Sequence, residues 1–98
     1  MLGRFEEAVL MALFSGGEAT IADIYQVLAD HKMARAFGAI YTTLDRMIDK
    51  KFVTRRKGEA LQERGGKARY YYKITGGGRA AVIEALKAAA VWRNAAAI

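Results

Sequence analysis

Apolar residues at Leu2, Phe5, Val9, Ala12 and Leu13 recur with the period of an amphipathic helix. Leu10 and Phe14 widen that stripe, which gives the helix two faces to pack. Gly16-Gly17 ends it. Thr20 opens a second helix: its hydroxyl can cap the free amides, and Asp23, three residues on, stands where the acid of a capping box belongs. Ile24, Val27 and Leu28 form the buried stripe of this helix, which closes near His31. Residues 31–35 read as a connection, and a third helix follows over about residues 37–51. Its apolar face is Ile40, Leu44, Met47 and Ile48, with Lys51 at the end of the same face; Tyr41, Thr42, Asp45, Arg46 and Asp49 fall on the others.

The period then changes. Residues 52–56 and 69–75 are β-prone, and the polar, glycine-bearing stretch between them makes the pair a hairpin with a long tip. Alternation turns Tyr70, Tyr72 and Ile74 inward and Tyr71 outward. A last, alanine-rich helix spans residues 76 to about 96, with Val82, Leu86, Ala89 and Arg93 along one side and small side chains that admit a second helix closely. It begins Gly76-Gly77-Gly78, and each interior glycine costs a helix about 1 kcal/mol; the expectation is a loose start or a hinge. Three helices, two strands and a helix make an α+β, mainly helical chain with the layout of a winged helix-turn-helix (α-α-α-β-β-α), in which the second and third helices form the helix-turn-helix and the hairpin is the wing.

At 98 residues, 53% hydrophobic and 27% charged, the composition is that of one globular domain. The absence of cysteine excludes a disulfide framework, a thiolate metal site and a cysteine nucleophile, and a single histidine, His31, which reads as an exposed helix-end residue, excludes a histidine-rich metal centre. No apolar run approaches the ~18 residues of a membrane span, and the N-terminus lacks the layout of a secretory signal, so the expected compartment is the cytoplasm. No acid pair, nucleophile with its base or nucleotide-binding loop appears; neither an enzyme nor a cofactor is expected. Charge does add information. The chain carries +6, but residues 46–79 hold eleven of the basic residues and three of the acidic ones, a local +8 against −2 for the rest. Such a field suits nucleic acid or anionic lipid, and a merely solvated basic surface is the plain alternative.

Two segments bring these features together. Gly38-Ala39-Ile40-Tyr41-Thr42-Thr43-Leu44-Asp45-Arg46-Met47 is similar to the recognition-helix signature of the PadR family of transcriptional regulators, and the stretch from Glu63 to Thr75 is similar to that family's wing. The opening, Leu2 to Leu13, looks like its first helix, so the resemblance covers nearly the whole chain. The chain departs from the family at Gly76-Gly77, where a proline and an acid are usual, and at the start of the second helix, where a tyrosine and a glycine are common. Ending at Ile98, it looks like the short branch without a large C-terminal domain. The resemblance implies a winged helix-turn-helix DNA-binding domain over residues 1–75 and a dimerisation helix over 76–98. It further implies a homodimer joined through the first and last helices, with Phe5, Val9, Val82, Ile83, Leu86 and Trp92 at the interface, acting as a repressor on an inverted-repeat operator in double-stranded DNA.

The residue chemistry fits that reading. Tyr41 can pack its ring on the domain while its hydroxyl reaches a phosphate. Thr42 and Thr43 are short hydroxyl carriers for a crowded groove, Gly38 and Ala39 allow close backbone approach, and Arg46 can bind phosphate or pair with Asp45 or Asp49. In the wing Arg64, Lys67 and Arg69 can reach the backbone or the minor groove, around a Gly65-Gly66 turn; the resemblance is what favours Arg64 and Lys67 over ordinary solvated charges. Trp92 either fills a hole in the dimer interface or, as the resemblance suggests, forms a flat platform for an aromatic small-molecule effector. Two rival functions are a protein-interaction winged helix that never touches DNA and a sensor whose main affinity is for aromatic compounds.

Overall fold

The chain folds as α1 (Arg4–Ala12), α2 (Ile21–Asp30), α3 (Phe37–Asp49), β1 (Val53–Ala60), β2 (Ala68–Ile74) and α4 (Gly76–Ala96). The computed structural model describes residues 2–60 and 68–96. The capping box at the start of α2 forms as the sequence predicts: Thr20 Oγ1 accepts from the Asp23 amide at 3.2 Å, and the Asp23 carboxylate accepts from the Thr20 amide at 3.0 Å. At α1 the Glu6 carboxylate accepts the Gly3 amide at 2.8 Å.

The core draws on every element: Val9 and Leu10 from α1 and Leu13 just past its end, Ile24 and Leu28 from α2, Ile40, Leu44 and Met47 from α3, Val53, Tyr72 and Ile74 from the hairpin, and Val82 from α4. Each large apolar side chain so buried stabilises the fold by about 1.5–3 kcal/mol. Val27 does not join them. It stands at the edge of the α1–α2 contact, beside a groove of about 380 Å³ that Met11 and Met33 also line, and is only partly covered.

α2 and α3 end in the same way, without glycine. The Met33 amide donates to Leu28 O at 2.7 Å and the Lys32 amide to Ala29 O at 3.0 Å; the Phe52 amide donates to Met47 O at 2.8 Å and the Lys51 amide to Ile48 O at 2.9 Å. Both are Schellman ends, which need a left-handed residue just past the helix. Lys32 (φ 57°) and Lys51 (φ 65°) supply it. Lys51 is therefore not the last residue of the apolar face of α3, as its spacing suggested, but the corner that turns the chain into β1.

β1 and β2 pair antiparallel, Val53 opposite Ile74, Arg55 opposite Tyr72, Arg56 opposite Tyr71 and Lys57 opposite Tyr70, with an irregularity before Ala60 meets Ala68. Pairing thus carries β1 several residues beyond the expected end. Tyr72 and Ile74 are buried, but Tyr70, on the same face, lies past the last core layer and is 38% exposed. Tyr71 faces outward as expected yet is half-covered: the Arg56 guanidinium stacks on its ring 4.7 Å from the centroid and is itself clamped by Glu18 at 2.7 and 3.0 Å. The Tyr71 ring also lies over Gly58, where a Cβ would come within 2.6 Å of it. Ala19 pairs with the free edge of β2, exchanging both backbone hydrogen bonds with Tyr72 at 2.9 and 2.8 Å, and so ties the entry to α2 onto the wing.

The glycine-rich start of α4 is tight rather than loose. Thr75 caps it, accepting from the Gly78 amide at 3.0 Å while its hydroxyl donates to Lys51 O at 2.8 Å. Gly78 is buried against the Phe52 carbonyl, and a Cβ there would collide with that oxygen. Glycine at 78 is the residue that lets α4 close onto the α3–β1 corner.

Candidate nucleic-acid interface

α3 carries two opposed faces. Ile40, Leu44 and Met47 fix one in the core, and the opposite side presents Gly38, Thr42, Asp45 and Asp49 to solvent. Gly38 has open space around it, as a backbone meant for close approach requires. Thr42 is exposed and its hydroxyl donates to Gly38 O at 2.9 Å, which holds the side chain against its own helix and leaves the oxygen free to accept. Thr43 is different. It is 6% exposed and its hydroxyl donates to Ala39 O at 2.9 Å, so it belongs to the inner side of the helix and offers nothing to a ligand. Ala39 is half-buried beside it. The helical step that places Thr42 outward turns Thr43 inward, because Thr43 falls next to Ile40 and Met47 on the wheel.

Tyr41 and Arg46 flank the exposed face on opposite sides. Tyr41, 45% exposed, leans toward the wing. Arg46 is exposed on the α1 side, where it and Lys50 act on Glu6. The Gly3 amide first of all, then Lys50 (3.6 Å) and Arg46, hold the Glu6 carboxyl below its ordinary range against the opposing effect of burial.

The wing brings a second set of side chains to the Tyr41 side. Tyr41, Arg69, Tyr70 and Tyr72 line one groove of about 360 Å³ together with residues 20–23 at the start of α2. Arg69 and Tyr41, two of the residues expected to meet DNA, are thus neighbours on one surface. Burial pushes the Tyr72 hydroxyl above the ordinary tyrosine value, partly offset by Arg55 beside it. Arg55 was not singled out by the sequence reading. It lies over the Tyr70 ring at 4.8 Å and 4.0 Å from the Asp45 carboxylate, so it links β1 to α3. The signal was present in the alternation of β1, which turns Arg55 to the same side as Tyr72 and Arg56 to the other. Arg64, Gly65, Gly66 and Lys67, also expected at the wing tip, lie outside the described residues.

The expected dimer residues separate into two groups. Phe5, Val9 and Val82 are buried within the chain, where they fill the α1 and α4 side of its own core rather than present a surface; Arg35 stacks on the Phe5 ring at 4.4 Å. Ile83 and Leu86 are 42% and 45% exposed on α4. The side chain of Trp92 lies outside the described residues. Between α1 and α4 runs a cavity of about 620 Å³ lined by Leu2, Phe52, Ala81, Ala85, Ala88 and Ala89, with Lys50, Glu7 and Glu84 supplying charge. No helix among the described residues is long and apolar enough to cross a membrane.

Residues 9–84 match the sequence profile of the transcriptional regulator PadR-like family. The chain belongs to the PadR-like family. The family is one of transcriptional regulators. No curated protein matches the chain in a sequence comparison. Among solved structures, a PadR-like transcription factor from Bacteroides fragilis is similar over 95% of this chain and 85% of its own, with 25% identity and a TM-score of 0.75. Bacillus subtilis PadR, solved in complex with operator DNA, is 21% identical with a TM-score of 0.72, over 84% of this chain and 47% of its own. Bordetella bronchiseptica BpsR, whose DNA binding is described as regulated by 6-hydroxynicotinic acid, is 18% identical with a TM-score of 0.70, over 96% of this chain and 59% of its own. The four helices and two-stranded wing of this PadR-like chain are the winged-helix fold of these neighbours.

Proposed function

We propose that this PadR-like chain is a sequence-specific DNA-binding repressor that acts as a homodimer on an inverted-repeat operator. The observation that carries the reading is the shared surface of α3 and the wing. Tyr41 of α3 and Arg69 of β2 line one groove, the open Gly38–Thr42 stripe lies alongside, and the chain's basic residues are concentrated in this half of the sequence. α3 enters the major groove with Gly38 and Thr42 foremost, the Tyr41 hydroxyl and Arg69 hold flanking phosphates, and the wing tip with Arg64 and Lys67 follows the backbone. Arg46 meets phosphate on the other flank. The twofold partner docks on the exposed Ile83 and Leu86 side of α4, with Trp92 close by in sequence. A DNA-bound neighbour of the same fold, B. subtilis PadR, supports the reading.

In vitro selection of bound duplexes tests it. The expected product is an inverted repeat whose half-sites lie one or two turns apart, a turn being about 10 bp. Failure to bind duplex DNA, or a motif without twofold symmetry, contradicts the proposal.

A second reading, control by an aromatic compound, is favoured by the α1–α4 cavity. At about 620 Å³ it is of ligand size, and alanines and Phe52 line it. BpsR, a neighbour in fold, has a small aromatic regulator of its DNA binding. Quenching of Trp92 fluorescence by planar aromatic compounds, coupled to a change in DNA affinity, is the expected result; absence of both across planar cations and phenolics removes this reading.

A further inference from the structure

A carboxylate stands in the middle of the surface that meets a polyanion. Asp45 follows Thr42 on the outward side of α3, opposite the buried Leu44 and Met47, and its side chain is 67% exposed. Placed against phosphate it would only repel. Among the described residues its ion-pair partner is Arg55 of β1, at 4.0 Å. That guanidinium is held in turn by the Tyr70 ring at 4.8 Å and lies beside the buried Tyr72 hydroxyl, so the wing keeps a cation at the side of the carboxylate. Asp49, on the same line, is the last residue of the helix and stands one full turn farther than Asp45 from its N-terminal end, the end that leads a recognition helix into the groove.

We propose that Asp45 is a base-reading residue that accepts a hydrogen bond from the exocyclic amino group of a cytosine in each half-site, positioned for it by Arg55. The inference rests on the DNA-binding reading above. An ionised carboxylate can only accept, and two base groups in the major groove donate: cytosine N4 and adenine N6. Adenine N6 is flanked by an acceptor on either side, its own N7 and the thymine O4, which repel a carboxylate. Cytosine N4 has an acceptor, guanine O6, on one side only. The carboxylate therefore selects C·G over the other pairs by about fivefold in affinity, the lower end of the range of a bidentate base contact. It also lowers affinity for every other sequence, because it stays unpaired against the groove.

The test is in vitro selection on the full chain, run in parallel for wild type, Asp45→Ala and Asp45→Asn. Affinities of single-base-substituted duplexes are then measured for each protein. Both substitutions are at an exposed position, and circular dichroism checks that each variant keeps the wild-type fold. The expected result is a wild-type motif with a C·G-specific position in each half-site. That preference disappears in Asp45→Ala and moves toward adenine in Asp45→Asn, while binding to unrelated duplex tightens. Arg55→Met weakens the same preference without abolishing binding. A wild-type motif that both Asp45 variants reproduce with its cytosine position intact overturns the proposal and leaves the DNA-binding reading standing. Failure of the wild type to select any motif overturns that reading itself.

Discussion

Gly78→Ala separates a tight start to α4 from a loose one. A Cβ at residue 78 would overlap the Phe52 carbonyl oxygen and come within 2.8 Å of Ile74 Cγ1 and 3.1 Å of the Phe52 carbonyl carbon. That carbonyl cannot yield cheaply. It accepts the Thr75 amide at 3.0 Å, and the Phe52 amide closes the Schellman end of α3 at 2.8 Å. Overpacking of this kind costs about 1–3 kcal/mol, and alanine returns about 0.5–1 kcal/mol as a better helix former. The net expectation is a loss of roughly 1–2 kcal/mol. Gly76→Ala is the control: nothing lies within 4 Å of its Cβ, so only the helix-propensity gain remains, up to about 0.5–1 kcal/mol. In a chain of this size each kcal/mol moves Tm by about 4–8 °C. The two alanine variants should therefore melt roughly 10 °C apart, on opposite sides of the wild type, when scanned at one protein concentration so that association affects all three equally. If Gly78→Ala stabilises as much as Gly76→Ala, the packing of α4 on the α3–β1 corner is wrong and the start of the helix is the loose one its three glycines suggest.

Other substitutions test the remaining pieces. Lys51→Gly should stabilise by about 0.5–1 kcal/mol in urea denaturation, because relief of a left-handed side chain, about 1–2 kcal/mol, outweighs the extra entropy glycine loses on folding, about 0.5–1 kcal/mol. Thr43→Val should lower stability by at most about 1 kcal/mol through loss of its bond to Ala39 O and leave DNA affinity unchanged, since the side chain faces the core; a large loss of affinity would return Thr43 to the DNA side. Glu6 and Glu18 both ionise below the ordinary value of 4.5 in the folded chain, Glu6 chiefly through the Gly3 amide and Glu18 chiefly through Arg56. Their contribution is therefore complete above pH 4.5 and is lost as pH falls through the lowered folded values. Denaturation midpoints should drop below that pH, less steeply in Glu18→Gln than in the wild type.

The element order and most of the core were legible in the chain because the signals were local. The period of α1, the Thr20–Asp23 capping box and the β-prone runs each specify structure without reference to distant residues. What escaped depended on tertiary neighbours. Nothing near Gly78 announces that Phe52 O lies against it. Lys32 and Lys51 gave no sign of left-handed turns because the usual marker, glycine, is missing. Val27 and Tyr70 sit on the correct faces but beyond the reach of the core, which periodicity cannot measure. In the candidate interface, spacing placed Tyr41 and Thr42 outward, but Thr43, expected at the groove with them for its hydroxyl, turns inward because it falls next to Ile40 and Met47 on the wheel. The contact between Arg55 and Asp45 joins two elements, so no sequence window contains it. Phe5, Val9 and Val82 have the apolar character of an interface, and only their burial shows that one chain already uses them.

The affinity of the selected duplex measured against salt concentration, for wild type and Arg69→Ala side by side, tests most directly that α3 and the wing form a single phosphate-holding surface. Each phosphate neutralised contributes about 0.9 to the slope of log affinity against log salt. A steep wild-type slope, reduced by about 0.9 in Arg69→Ala, is the predicted result. A flat slope, or one that Arg69→Ala leaves unchanged, contradicts it.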